Sequence, residues 1–532
     1  MKKINFNIFI IFGACVLALS SCTKDLNRTP IVGATSAVVY GTPASIKQVL
    51  AKLYGGLSLS GLDATTGFPT ADISSSDVGA NVYFRNWWEA QELSTDEAKI
   101  AWGDGDLQQY NTMNWTSQMS YLILWYNRVF YEVSICNEFI RQVPPSKISS
   151  FSTTDAATVQ TYVYEARFLR ALAYYHAIDN FGAVPFTTEN DAVGKTSPKQ
   201  ISRDSLFKYV ESELLAVQAV LPAPGTNEYG RVDQAAAWSL LAKLYLNAKV
   251  YTGTDRSTDC LTYCNKIISS GKYSLASNYA NLFKIDNHTT SANEIIFALR
   301  ANGVSSQSYG NSTFLIHAEV GGTMDAKDTF GIASGGWSGL RATKNLYNLF
   351  TSSADKRAMF YTSGQTLDMT SLTDFTNGYA MQKFKNVSST GAAGSDPTGN
   401  FSDLDFPLFR LADIYLMYAE AVLRGGTGGD ATTALGYVNA IRTRAYGNTS
   451  GNITASTLTL QYILDERARE LYWEGYRRTD LIRYGLFTGG TYLWPWKGGA
   501  LAGTSIDSHF NLYPLSGIDV NINTNLIQNP GY

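Results

Sequence analysis

Histidine is nearly missing from this sequence. Its four copies, His176, His288, His317 and His509, are scattered along 532 residues, and no HExxH helix exists to bind a catalytic metal. Cysteine is scarce too. Of five, Cys15 and Cys22 sit at the N-terminus, leaving Cys136, Cys260 and Cys264, an odd number without a CxxC pair. Cys260 and Cys264 stand one helical turn apart, but with no histidine nearby they read as core thiols rather than ligands. Charge is thin, at 16% with a net charge of −3, and no basic stripe appears, which excludes nucleic acid as a partner class. Beyond the N-terminus no apolar run approaches the ~18 residues of a membrane span. Gly336-Trp337-Ser338-Gly339 is followed by Leu340, which breaks the pattern of a nucleophile elbow. Gly425–Gly429 lacks the Lys-Ser/Thr of a phosphate loop, and no EF-hand spacing exists. No cofactor and no metal is expected.

The N-terminus has a clear pattern. Lys2 and Lys3 precede an apolar run, Ile8 to Leu19, and Leu19-Ser20-Ser21 leads into Cys22. A basic start, a short apolar core and small residues before the cut form a secretory signal. The cysteine after them looks like a bacterial lipobox, so residues 1–21 read as a lipoprotein signal peptide and Cys22 as the lipidated first mature residue. Two or more acyl chains on it anchor stably. Residues 22–44 read as a short polar tether and an N-terminal segment.

From there the text is helical. Ser45–Leu57 carries Ile46, Val49, Leu50, Leu53 and Leu57 at helical spacing. Further helices are predicted at Gln118–Val143, Tyr162–Ile178, Ser205–Leu221, Gln234–Ala248 and Thr258–Ser270. Gly182 and Pro185 can stop the third of the six. Residues 58–118 read as irregular, and residues 285–405 as a loop-rich insertion with short β runs. Helices return at Phe409–Leu423 and Thr432–Arg444. Small residues (Ala235, Ala242, Ala412, Ala419) permit close helix pairs, similar to tetratricopeptide units of ~34 residues. Such hairpins share one core. The fold class is therefore mainly α, with tetratricopeptide-like pairs in a single domain over 45–532: a helical half (about 45–284), the insertion (about 285–405) and a C-terminal helical region (about 406–532).

The densest charge lies at Glu466–Phe487, ERARELYWEGYRRTDLIRYGLF. Glu466, Glu470 and Glu474 are spaced to share one helix face, with neighbours ~5–6 Å apart. A retaining glycosidase holds its carboxyls at ~5–5.5 Å, so Glu466 and Glu470 permit a hydrolase reading. Interleaved Arg467, Arg469, Arg477 and Arg478 argue against it. Pairs such as Glu474–Arg478 and Asp465–Arg469 would lower the carboxyl pKa, the wrong direction for a general acid. The stretch reads as scaffold, with Trp473 and Leu471 expected against the Phe409–Leu423 hairpin.

Five stretches in order, the lipobox at Cys22, Glu165–Phe186, Leu411–Leu423, Glu466–Gly485 and Leu526–Tyr532, together resemble the SusD/RagB family of Bacteroidetes surface lipoproteins. The resemblance implies a helical SusD-like fold, glycan binding without catalysis, and an outer-membrane location facing the cell exterior. It implies a partner as well: a SusC-like TonB-dependent transporter, over which the protein would sit as a lid. A gating subunit with a non-glycan ligand is a further alternative.

Sugar recognition needs flat apolar faces flanked by planar polar groups. Two stretches offer that mixture, Asn81–Asp106 and Gly331–Arg341. Trp102 precedes Gly103-Asp104-Gly105, and Trp337 is flanked by Gly335-Gly336 and Ser338-Gly339. Both are candidate stacking platforms, and the resemblance places the family's aromatic arc in these regions. Asp72, Arg85, Asp104 and Tyr309 are the secondary candidates. Trp87, Trp88, Trp115, Trp125 and Trp473 are expected in the core.

Overall fold

The computed structural model describes residues 35–61, 71–75, 77–333 and 335–532. The predicted signal peptide and Cys22 lie outside them. Helices begin where a side-chain acceptor precedes an amphipathic run. Thr42 opens helix α1 (Pro43–Gly56) with a capping box, exchanging backbone–hydroxyl hydrogen bonds with Ser45. Next come α2 (Tyr83–Glu92), strand β1 (Ala98–Ile100), α3 (Ser120–Gln142) and the long α4 (Thr153–Asn180), capped by Ser152. Gly182 ends α4 in a left-handed conformation (φ +75°), its N–H bonding back to Ala177 O. Ser202 and Asp233 cap α5 (Arg203–Val217) and α6 (Gln234–Leu246), and α7 (Ser257–Ser269) follows.

The middle of the chain contributes β2 (Ile295–Leu299), α8 (Ser312–Glu319) and β3 (Leu340–Ala342). The C-terminal region holds β4 (Phe406–Arg410), α9 (Leu411–Leu423), α10 (Ala431–Tyr446), α11 (Leu460–Leu471), α12 (Arg477–Arg483) and α13 (Gly517–Ile522). Successive helices pack as hairpins: α3 on α4, α4 on α5, α6 on α7, α9 on α10, with α7 joining α9 across the chain. Ala235, Ala242, Ala412 and Ala419 are fully buried, which lets the paired backbones approach. The mainly helical, paired-helix fold is as the sequence implied. One hydrophobic core extends from Tyr40 to Leu526. Among the described residues no helix is long and apolar enough to cross a membrane. Cys136, Cys260 and Cys264 are buried free thiols.

The strands do more than decorate. β2 pairs antiparallel with β4, and β1 pairs antiparallel with β3 in the register Ala98↔Ala342, Ile100↔Leu340. The second pairing joins two segments far apart in sequence.

Several boundaries differ from expectation. Ser36–Val39 form a helical turn, and α1 starts at Pro43, two residues before the expected Ser45. Residues 58–118 include helix α2, whose ten residues are all buried. Phe409 and Arg410 belong to a strand, not to the helix after it. Glu466–Phe487 is two helices, not one. Trp473 (φ +61°) and Gly475 (φ +81°) take left-handed conformations between them. A Cβ on Gly475 would sit 2.2 Å from Trp87, so glycine is what admits the α2 tryptophan. Trp473 accordingly packs on α2: its ring meets Trp88 edge-on at 5.7 Å, and Trp88 Nε1 donates to Trp473 O at 2.9 Å, while α11, which ends at Leu471, packs on α9.

Candidate functional site

The carboxylates of the C-terminal stretch are closed off. Glu466, Glu470 and Glu474 are each 0% exposed. Arg357 bridges Glu466 at 2.8 Å and Glu470 at 3.1 Å. Arg410 binds Glu470 and Glu474, both at 2.6 Å, and Glu294 at 2.9 Å. Arg444 and Lys383 complete the lattice on Glu470 and Glu474. Burial alone would raise the Glu466 carboxyl, but Arg357, Arg469 and Arg442 outweigh it and hold it at about 2. Arg444, Arg410 and Arg357 do the same for Glu470. A buried carboxylate held ionised by guanidinium groups cannot protonate a glycosidic oxygen. This overturns the hydrolase alternative at Glu466 and Glu470. The local pairs expected there also fail. Glu474 reaches Arg410 and Lys383, Arg469 takes Glu466 at 2.8 Å, and Arg478 lies 3.7 Å from Asp179.

An open cleft of about 1060 Å³ lies elsewhere. Its wall is built by the β1–β3 pairing. Just past the last paired rung, Ala101 N–H donates to Gly339 O at 2.8 Å. One residue further on, Trp102 Nε1 donates to Trp337 O at 2.8 Å. The two indoles stand 6.1 Å apart, and Tyr309 continues the row at 6.2 Å from Trp337. All three rings are half-buried and line the cleft.

Each ring has a fixed backing. Trp337 stacks on His317 at 4.7 Å, and burial lowers that imidazole to about 4, so it stays neutral above mildly acidic pH. Tyr309 rests on Phe401 at 4.8 Å. Trp102 packs edge-on against Phe314 and lies 5.5 Å from the Arg85 guanidinium, a cation–π contact. Glycine permits the approach: a Cβ on Gly339 would lie 2.6 Å from the Trp102 ring.

The predicted residues separate into two groups. Trp102, Trp337, Tyr309, Arg85 and Asp104 line this cleft; Asp72 does not. Arg85 sits beneath the surface at 2% exposed, held by Glu89 at 2.8 Å and Asp77 at 2.9 Å. Burial works against its charge, but Glu89 and Asp77 outweigh burial and raise its pKa. Burial in turn lifts Glu89 to about 7, against the pull of Arg85. Asp104 is exposed at the lip, between glycines with open space around them. Asp72 faces a neighbouring basin and pairs with Lys52 at 2.7 Å. Trp87, Trp88, Trp115, Trp125 and Trp473 are all core residues.

Sequence reasoning missed Asp77, Tyr121 and Asn127, which also line the cleft. Tyr121 and Asn127 project from α3, whose periodicity reads as ordinary core packing. Asp77 could have been found through its partner Arg85. The hydroxyl of Tyr121 and the amide of Asn127 have no hydrogen-bond partner among the described residues. Three aromatic faces flanked by carboxylates, an amide and a hydroxyl can hold a flat polyhydroxylated ligand. Among the described residues no cluster of His, Cys, Asp and Glu could hold a metal ion.

A paired-helix scaffold whose C-terminal glutamates are locked inside and whose aromatic rings face an open cleft suits a binding protein. The SusD family model matches residues 357–532. The chain is 33% identical to the starch-binding protein SusD of Bacteroides thetaiotaomicron, with 98% of each chain covered. A SusD-like protein of Formosa agariphila is 25% identical over 90% of this chain and 89% of its own. Among solved structures, a SusD homologue from B. thetaiotaomicron superposes with a TM-score of 0.71 at 20% identity, covering 92% of this chain and 97% of that one. The surface glycan-binding protein A of the same organism, in complex with laminarihexaose, gives 0.66 at 19% identity over 92% and 99%. This chain belongs to the SusD family. Two of these relatives carry the names of binding proteins, one for starch and one for surface glycan.

Proposed function

We propose that this protein is a non-catalytic, cell-surface glycan-binding protein whose ligand is a glucan chain. The observation that carries the reading is the unbroken row Trp102–Trp337–Tyr309 along an open cleft, with Asp77, Asp104, Tyr121 and Asn127 at its edges. Sugar rings present C–H faces to aromatic surfaces and hydroxyls to planar polar groups, so the lining fits both. The likeness to a starch-binding protein points to an α-linked glucan first. On this reading residues 45–532 act as one domain. A lipid on Cys22 anchors the protein to the outer membrane, facing the exterior. The captured oligosaccharide is handed to a SusC-like TonB-dependent transporter. Family membership supports both the anchor and the partner.

A soluble form beginning after Cys22, titrated calorimetrically with maltooligosaccharides and laminarioligosaccharides, should bind at least one series and release no new reducing ends. Trp102→Ala and Trp337→Ala should each weaken binding by about 2 kcal/mol, roughly thirtyfold, with little change in thermal midpoint. Binding that survives both substitutions together would sink the site assignment. Copurification with a transporter barrel tests the partner.

A further inference from the structure

We propose that the glucan site continues past the aromatic row, along α3, into a second subsite centred on Phe130 and Tyr131 that holds the extension of a long chain. This rests on the glucan reading above and adds a length requirement to it.

A basin of about 600 Å³ adjoins the cleft. The two share Ile123, Asn127 and Ile518 as lining, so they form one groove with a saddle. Ile123, Asn127, Phe130, Tyr131 and Ser134 fall at helical spacing on one face of α3. At 1.5 Å of rise per residue, Ile123 to Ser134 spans ~16 Å. The groove therefore runs well beyond the aromatic row.

The basin repeats the chemistry of the cleft. Phe130 and Tyr131 are half-buried rings in its lining. Phe130 is held by Tyr126 at 4.6 Å, and Tyr131 by Lys52 and Arg128 at 5.9 and 5.6 Å. Two carboxylates stand in the lining, and carboxylate oxygens have lone pairs to accept from hydroxyls. Asp72 is held by Lys52 at 2.7 Å with Arg128 at 3.7 Å, and Asp519 by the Tyr126 hydroxyl at 2.5 Å. Asn127 stands on the saddle with its amide unpartnered among the described residues. The far wall is Ile518 and Ile522 on α13, 54% and 75% exposed. Such aliphatic exposure on a short helix serves no core packing. Fixed rings, carboxylates and a free amide along one groove are the features that recognise another stretch of the same kind of chain.

The test compares maltotriose with maltooctaose, and laminaritriose with laminarihexaose, by calorimetry on the soluble form. The long chain should bind about tenfold tighter than the short one. Tyr131→Ala should erase that gain while leaving the short chain unaffected. Ser134→Trp fills the basin from an exposed position without touching the core and should do the same. A length gain that survives both variants, or short-chain binding without any length gain, overturns the inference and leaves the glucan reading standing. Silence of the unsubstituted protein on all four sugars overturns both.

Discussion

Two regions of the molecule treat polar groups in opposite ways. In residues 357–532 charge is turned inward. Arg357, Arg410, Glu466, Glu470 and Glu474 are fully buried, and each satisfies at least two partners. In the cleft, polar groups are left with spare capacity: Asp104 is exposed, the Tyr121 hydroxyl and Asn127 amide are unpaired among the described residues, and three rings are half open. The family model matches the first region, while Trp102, Tyr309 and Trp337 all lie before residue 357. The buried charge lattice and the row of rings thus lie in different stretches of chain, and of the family-matched region it is Ile518, Asp519 and Ile522, not the lattice, that reach the groove.

The contrast can be tested by breaking each side separately. Acid should act first and most strongly, on the lattice. Glu466, Glu420 and Asp413 are held at about 2 by their cationic partners, against burial. Their folded values lie below the unfolded range of ~4, so their stabilisation is full above that range and lost as pH falls towards 2. His176, pushed by burial to about 3, loses stability in the same direction below ~6.5. Urea midpoints should therefore drop steeply between about pH 5 and pH 2, and a flat profile down to pH 3 would contradict the paired lattice. Arg410→Met comes next. It takes one buried cationic partner from each of Glu294, Glu470 and Glu474 and should cost about 3–5 kcal/mol of unfolding free energy, far more than Trp337→Ala. Should the two cost the same, the division between scaffold and site fails.

Smaller effects belong to the cleft. Gly339→Val forces the Trp102 ring aside and should weaken glucan binding about tenfold with a modest loss of stability. Asp104→Ala, at an exposed lip, should weaken binding by about threefold at most, with no stability change beyond ~0.5 kcal/mol. A larger Asp104 effect than Gly339 effect would mean that the lip carboxylate, not the ring, dominates.

Much of the scaffold was legible because it is written locally. The stop at Gly182 and the buried alanines of the hairpins follow from neighbouring residues, whereas the cap at Ser152 was passed over and α4 begins at Thr153, nine residues before the expected Tyr162. The break at Trp473–Gly475 was not legible, since its cause is Trp87, brought alongside only by folding. The ion pairs were misread for the same reason: with the helix interrupted, Glu474 turns to Arg410 and Lys383. Trp102 and Trp337 could be picked out by their glycine surroundings, but not their adjacency, which depends on strand register. Asp72 looked like its fellow candidates in composition, yet the fold places it across the saddle of Ile123 and Asn127.

That register has a further consequence. The β1–β3 ladder is only three residue pairs long, and side chains alternate faces along a strand. A slip of one residue would send one indole to the wrong side. The spacing of the two rings is therefore quantised by backbone pairing and does not drift with loop length. Residues can be gained or lost between the two strands without moving one indole relative to the other, so ligand preference can change by steps in the surrounding loops while the gauge between the platforms stays constant.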